Sequence, residues 1–183
     1  TGATWGSTGR TFDGVDDYIE VTANGSTHFA LQTFSVESWF YVPSSGNVMI
    51  WSYDFTSHDT PYYAQHLIAQ MGANQKWIYL AWNDGTTYRE LYSLANSLTA
   101  GNWHHLVAQY KSGSQQIFIN GILNASSTRT ATITYYAQEV WIGKSNYAVS
   151  AAGSIAGETR FYNRFLSVAE AQHNYLATKW RYK

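Results

Sequence analysis

Phe34-Ser-Val-Glu-Ser-Trp-Phe-Tyr-Val42 is the stretch on which the fold turns. Side chains of an extended chain alternate between faces. Phe34, Val36, Ser38, Phe40 and Val42 therefore share one side, and Ser35, Glu37, Trp39 and Tyr41 share the other. A period of two in aromatic and β-branched residues predicts a strand with one face on a core. Working outward, further runs of this kind predict strands over 18–21, 48–53, 66–70, 77–82, 88–91, 104–110, 116–120, 132–136, 140–143 and 158–162. Gly, Asn, Asp and Ser clusters punctuate them. Asn120-Gly121, between Ile117-Phe-Ile119 and Ile122-Leu123, predicts a type I′ hairpin, and Asp84-Gly85 predicts a second turn of the same kind. Gly113 marks a third break. About ten short strands with no helices between them give an antiparallel two-sheet sandwich. Parallel pairing is excluded, because it needs crossover helices.

One helix is expected. Ser167-Val-Ala-Glu170 is a capping box, with Ser167 at the N-cap and Glu170 at N3. The helix runs from Val168 to about Ala177, with Leu166 placed to staple onto Ala171.

Composition narrows the function classes. The chain has 183 residues, net charge −1, 13% charged and 17% aromatic residues, and no cysteine. That length suits a single domain over 1–183. The aromatic content excludes intrinsic disorder. The absence of a Lys/Arg block argues against a nucleic-acid partner, and no apolar run is long enough for membrane insertion. Without cysteine there are no disulfides, thiol nucleophiles or Cys-based zinc sites. The chain opens on Thr1 with no signal peptide, which reads as a processed chain or an excised piece.

Six segments together resemble a known family. Phe12-Asp-Gly-Val-Asp-Asp-Tyr-Ile-Glu-Val21 is similar to the opening motif of laminin-G-like, concanavalin A-like lectin/glucanase domains. Phe34–Val42 resembles the strand that follows, and Asn102-Trp-His-His-Leu-Val-Ala-Gln-Tyr110 the central Trp-His-His strand. Ile117-Phe-Ile-Asn-Gly121 resembles the Asn/Asp-Gly hairpin, Val140-Trp-Ile-Gly143 the Ile-Gly strand, and Gly153 to Glu170 the closing strand and helix cap. The resemblance implies a jelly-roll sandwich that binds glycans or proteins, often beside a calcium ion at the sandwich edge. Two departures stand out. An N-terminal strand usual in the family is expected to be missing ahead of Thr1-Gly-Ala-Thr-Trp5. The closing Ile-Asp-Glu reads Ile155-Ala-Gly-Glu158, which removes an Asp from the inherited edge site.

The residues carry several candidate chemistries. Sandwich hydrolases place carboxylates at every second position of one strand, because alternation aims them at one groove. Glu37, Glu90, Glu139 and Glu158 lie on separate strands instead, so a glycoside hydrolase or lyase is disfavoured. No Gly-x-Ser-x-Gly elbow or phosphate-cradling loop is present. His104 and His105 are neighbours on a strand, face opposite ways and cannot chelate one ion. Asp13, Asp16 and Asp17 are the densest acidic cluster. They suit an Asp-capped turn, or one structural calcium with Asp16 and Asp17 as ligands.

Sugars offer apolar C–H faces to Trp and Tyr rings and hydroxyls to Asp, Asn, Gln and His. Tyr53, Asp54, His58, Asp59, Tyr62 and Tyr63 pack this set into one loop, and Trp82 and Asn83 could join from a hairpin tip. The competing place is the non-core side of a strand, where Trp39 and Tyr41 sit with Glu37, or Trp77 with Tyr79. These features favour a non-catalytic, extracellular or cell-surface carbohydrate-binding or adhesion module, with a glycan or glycosylated surface as partner. The alternative is a structural or decorating sandwich in a larger assembly, with neighbouring domains or chains as partners.

Overall fold

The computed structural model describes residues 2–22, 29–54, 65–72, 75–135, 139–145 and 148–183. In chain order the strands are β1 (Thr4–Trp5), β2 (Arg10–Thr11), β3 (Ile19–Thr22), β4 (Phe34–Val42), β5 (Gly46–Asp54), β6 (Gln65–Gly72) and β7 (Gln75–Asn83). They continue with β8 (Tyr88–Tyr92), β9 (Asn102–Lys111), β10 (Ser114–Ile119), β11 (Ile122–Ser127), β12 (Glu139–Ile142) and β13 (Ile155–Tyr162). Helix α1 (Val168–Thr178) and a 3-10 turn (Lys179–Arg181) close the chain.

Two antiparallel sheets result. One has the order β1-β2-β13-β4-β9-β10-β11, the other β3-β12-β5-β6-β7-β8. β13, late in the chain, fills the place between β2 and β4 and ties the two ends of the sequence into one sheet. β4 pairs with β9 without interruption from Phe34 opposite Tyr110 to Val42 opposite Asn102. The core follows from the alternation. Phe34, Val36, Phe40 and Val42 of β4, with Leu106, Ala108 and Tyr110 of β9, meet Tyr53, Leu67, Ile78, Leu80 and Trp82 from the facing sheet. Each large side chain so enclosed stabilises the fold by roughly 1.5–3 kcal/mol.

The other side of β4 is buried as well. Ser35, Glu37 and Trp39 are at most 4% exposed, because the C-terminal segment lies over them. Leu166 and Ala171 pack on Val107 and Phe118 as the staple required. The capping box forms as expected: Ser167 Oγ accepts from Glu170 N, and Glu170 reaches back to Ser167 N. Gln109 acts as a backbone surrogate, with Oε1 accepting from Leu166 N at 2.8 Å and Nε2 donating to Leu166 O at 3.0 Å.

Two local expectations are corrected and a third is met. Residues 132–135 are not a strand, because side chains and a neighbouring strand end take their backbone groups. Gln32 donates to Ile133 O and accepts from Ile133 N, both at 2.8 Å, the Tyr110 hydroxyl donates to Ala131 O, and Thr134 N donates to Asn83 O. Asp84-Gly85 is not a two-residue hairpin. Asn83 pairs with Tyr88, and the four residues between are held by Asp84 Oδ1 accepting from Thr86 N and Thr87 N. Asn120-Gly121 does form the tight turn, with φ of +52° and +76° at its two central positions.

Candidate functional site

The site that emerges lies where α1 and the 3-10 turn cross the outer side of the seven-stranded sheet. Its anchor is Glu37, 3% exposed on β4. One carboxylate oxygen accepts from Tyr162 OH and Asn174 Nδ2, both at 2.8 Å. The other meets His105 Nε2 at 3.1 Å and Arg160 Nη1 at 3.3 Å. Burial alone would raise the Glu37 pKa, but the hydrogen bonds from His105, Tyr162 and Asn174 outweigh it and hold the carboxyl below its ordinary value. Because Asn174 is on α1, this buried anion fastens the helix to the sheet.

Two residues along β4, Trp39 occupies the same face. Its Nε1 donates to Thr178 Oγ1 at 2.8 Å, and its ring stacks on Tyr182 at 4.5 Å and 16° and on Tyr175 at 5.8 Å and 27°. Trp103 of β9 closes on Tyr182 at 4.8 Å. The stack requires Gly157. A Cβ there would lie 2.8 Å from Tyr182 Cε1 and 3.0 Å from Trp39 Cβ, so only glycine lets β13 pass beneath both rings. Tyr182 OH accepts from Glu158 N at 3.0 Å, which fixes the ring end.

These contacts leave an open groove of about 290 Å³ lined by Trp39, Trp103, Asn120, Tyr175, Lys179, Trp180, Tyr182 and Lys183. Trp39 and Tyr182 form a buried floor, Trp103 and Tyr175 half-buried walls, and Trp180 an exposed rim at 67%. Asn120 Oδ1 accepts from His105 N, and its Nδ2 makes no hydrogen bond among the described residues. Chemically this is a set of ring faces bordered by amide and ammonium donors. A second cavity of about 270 Å³ shares Tyr182 and includes the exposed Trp5, over which Arg10 lies at 4.2 Å.

Of the ligand-binding residues proposed from sequence, Tyr53, Trp82 and Asn83 are described with their side chains, and all three lie away from this groove. Tyr53 and Trp82 are 0% exposed and belong to the core, where Trp82 packs on Tyr110 at 4.4 Å. Both stand at inward positions of their strands, so neither reaches a binding surface. Asn83 is 2% exposed, and its Oδ1 accepts from Gly85 N at 2.6 Å as part of the loop's own hydrogen bonding. The side chain of Asp54, and His58, Asp59, Tyr62 and Tyr63, lie outside the described residues, as does the side chain of Trp77. On the outer side of the six-stranded sheet, Tyr79 packs with Met49 and Ala81 and meets the Tyr92 ring at 5.4 Å. His104 and His105 do face opposite ways. His104 Nε2 is 3.0 Å from Thr99 O, and burial lowers the His104 pKa.

The acidic cluster sits between β2 and β3. Carboxylate oxygens of Asp13, Asp16 and Asp17 lie within 4.8 Å of one another. Asp13 Oδ1 accepts from Val15 N at 2.8 Å and Asp16 N at 3.3 Å, which lowers its pKa and makes the turn. Asp17 is 4% exposed; Oδ2 accepts from Asp13 N, while Oδ1 is buried with no hydrogen-bond partner. An orphaned anionic oxygen among two further carboxylates fits a hard cation.

Comparison with known proteins agrees with this architecture. A family model described as the concanavalin A-like lectin/glucanases superfamily matches residues 13–172. The chain belongs to that superfamily. No curated protein sequence matches this superfamily member. Solved structures do, at identities that speak for the fold alone. A carbohydrate-binding module (CBM40) of the Ruminococcus gnavus IT-sialidase, bound to α2,3-sialyllactose, superposes with a TM-score of 0.69 at 13% identity, over 87% of this chain and 96% of that one. Trypanosoma rangeli sialidase gives 0.68 at 13% identity, over 98% of this chain but 29% of the sialidase. The binding domain of botulinum neurotoxin DC, in a complex with SialylT, gives 0.64 at 10% identity, over 87% and 39%. The chain thus spans under a third of the sialidase and about two fifths of the toxin domain.

Proposed function

We propose that this lectin/glucanase superfamily domain is a non-catalytic, extracellular carbohydrate-binding module whose ligand seats in the groove between β4, β9 and the C-terminal turn. The observation that carries the proposal is the groove's lining. Five aromatic rings from strand, helix and turn converge there, with Asn120 and two lysines at the border. Sugar rings bind such surfaces by stacking their C–H faces and hydrogen-bonding their hydroxyls at the edge. Absence of catalysis is supported by carboxylate placement. Glycoside hydrolysis needs two carboxyl groups roughly 5–10 Å apart across the substrate. Among the described residues the groove is lined by none and the second cavity by Glu158 alone, which Arg160 and Arg181 engage. A calcium ion held by Asp13, Asp16 and Asp17 would serve structure, since it would neutralise the buried Asp17 oxygen and pin the turn ahead of β3.

A glycan array probed with the wild-type domain and with Trp180→Ala tests this reading. The account expects saturable binding to a subset of glycans that Trp180→Ala abolishes while the melting temperature stays unchanged. Binding unaffected by Trp180→Ala would remove the groove from consideration.

A second reading, as a building block of a larger assembly, is favoured by one observation. β11 is the edge of its sheet, and Ile122 and Leu123 on it are 70% and 41% exposed, beside Leu94 at 66%. Bare apolar edges recruit partner strands. Light scattering of the purified domain decides this reading: a monomer across the micromolar range contradicts it, and an oligomer that Ile122→Lys disperses supports it.

A further inference from the structure

We infer that the groove selects anionic sugars, those bearing a carboxylate or sulfate, over neutral ones. The inference rests on the carbohydrate-binding reading and adds the ligand's charge. Lys179 and Lys183 both line the groove, and among the described residues no Asp or Glu does. Neither lysine makes an ion pair among the described residues, whereas the arginines of this corner are engaged: Arg181 Nη1 is 3.2 Å from Glu158 Oε2, and Arg160 Nη2 is 2.7 Å from Glu158 Oε1. Two carboxylates of this corner among the described residues, Glu37 and Glu158, are thus each engaged by arginine.

The positions of the two lysines matter as much as their number. Lys179 Nζ lies 5.6 Å above the Tyr175 ring, so its ammonium is drawn along the groove wall. Lys183 follows Tyr182 directly, is exposed and also lines the groove. Asn120 is in the same lining, and its amide Nδ2 makes no hydrogen bond among the described residues. A sugar stacked on Trp103 or Trp180 would therefore carry its ring substituents toward two ammonium groups and this amide, in a concavity walled by low-dielectric aromatic rings. A border that carries two ammonium groups favours an anionic acceptor over a hydroxyl, because hydrogen bonds to ionised groups are shorter and about twice as strong. With a volume of about 290 Å³ the groove is at the small end of ligand sites, room for one or two rings.

Three hexasaccharide probes of equal length vary the charge: neutral, fully N-acetylated chitohexaose, hyaluronan (carboxylate only) and κ-carrageenan (sulfate only). Affinities are read by tryptophan fluorescence titration at low and at physiological salt, for wild type, the double variant Lys179→Gln/Lys183→Gln, and Trp180→Ala. Both lysines and Trp180 are exposed, so folding is not at stake. The inference expects at least one anionic probe to bind about tenfold more tightly than chitohexaose, a gap of about 1.4 kcal/mol. The double variant and the higher salt concentration should each shrink that gap. Hyaluronan against κ-carrageenan then tells carboxylate from sulfate selection. Equal affinity for neutral and anionic probes, or an anionic preference unchanged in the double variant, overturns the inference and leaves the carbohydrate reading intact. If none of the three binds while the glycan array still shows saturable binding that Trp180→Ala abolishes, the inference alone falls; if the array shows no such binding, both fall together.

Discussion

Replacing Glu37 tests the physical link between the sheet and the groove. Its carboxylate is 3% exposed and joins β4 to β9 through His105, to β13 through Arg160 and Tyr162, and to α1 through Asn174. Glu37→Ala removes both acceptor oxygens and strands their four donors in a buried layer. Breaking a buried, hydrogen-bonded ion pair costs about 3–5 kcal/mol. Arg160 is 36% exposed and can turn to water, so the lower end applies, about 3 kcal/mol. For a domain of this length that is a loss of about 6–12 °C in Tm. Glu37→Gln keeps one acceptor and loses the charge, and about 1–2 kcal/mol is expected. Urea titrations at pH 7, with the exposed Glu20→Gln as control, measure both. The pH dependence supplies a second check. Glu37 has a folded-state pKa below its unfolded value, so its ionic contribution is fully present above the unfolded value near 4.5 and fades as pH falls through the folded one. The difference between wild type and Glu37→Gln should therefore narrow below pH 4.5. A Glu37→Ala variant within 0.5 kcal/mol of wild type would refute the view that this anion fastens the helix.

Other outcomes follow from the same geometry. Gly157→Ala drives a methyl group against Tyr182 and Trp39, and should cost about 1–3 kcal/mol by overpacking while weakening any groove ligand, as urea titration and binding assays would show. His104 is buried with a lowered pKa, so the unfolded chain takes up a proton first. Wild-type stability should decline as pH falls below about 6.5, and His104→Gln should flatten that decline, measured by melting between pH 7 and 5. If calcium occupies Asp13, Asp16 and Asp17, saturation at about 100 times its Kd adds roughly 2.7 kcal/mol. Chelation should then lower Tm by several degrees, and Asp17→Asn should abolish the response.

Much of the fold was legible because it depends on alternation and caps. The strand from Phe34 to Val42, the turn at Asn120-Gly121 and the helix cap at Ser167 each combine a residue pattern with one local geometry. The segment 132–135 misled because β-branched and aromatic residues predict strand, while Gln32 and Tyr110, remote in sequence, decide where its hydrogen bonds go. The site was less legible for a related reason. Tyr53 and Trp82 carry suitable rings, but inward or outward is set by register, and register placed them in the core. Trp39 was recognisable as an outward ring on β4. That Tyr175, Trp180 and Tyr182 would fold back over it depends on the Glu37–Asn174 contact and on Gly157. The one signal that could have drawn attention there is the run Trp180-Arg-Tyr-Lys183, dense in aromatic and basic residues just past a helix end.

The central claim is that the groove floored by Trp39 and Tyr182 is where a glycan lands. Two-dimensional NMR of the 15N-labelled domain, titrated with a glycan that the array identifies, tests it most directly through the indole N–H signals. The account predicts progressive shifts at Trp103 and Trp180, with smaller ones at Trp39. Shifts confined to the residues around Tyr79 and Tyr92 or to the segment 53–63, with Trp103 and Trp180 unmoved, would contradict it.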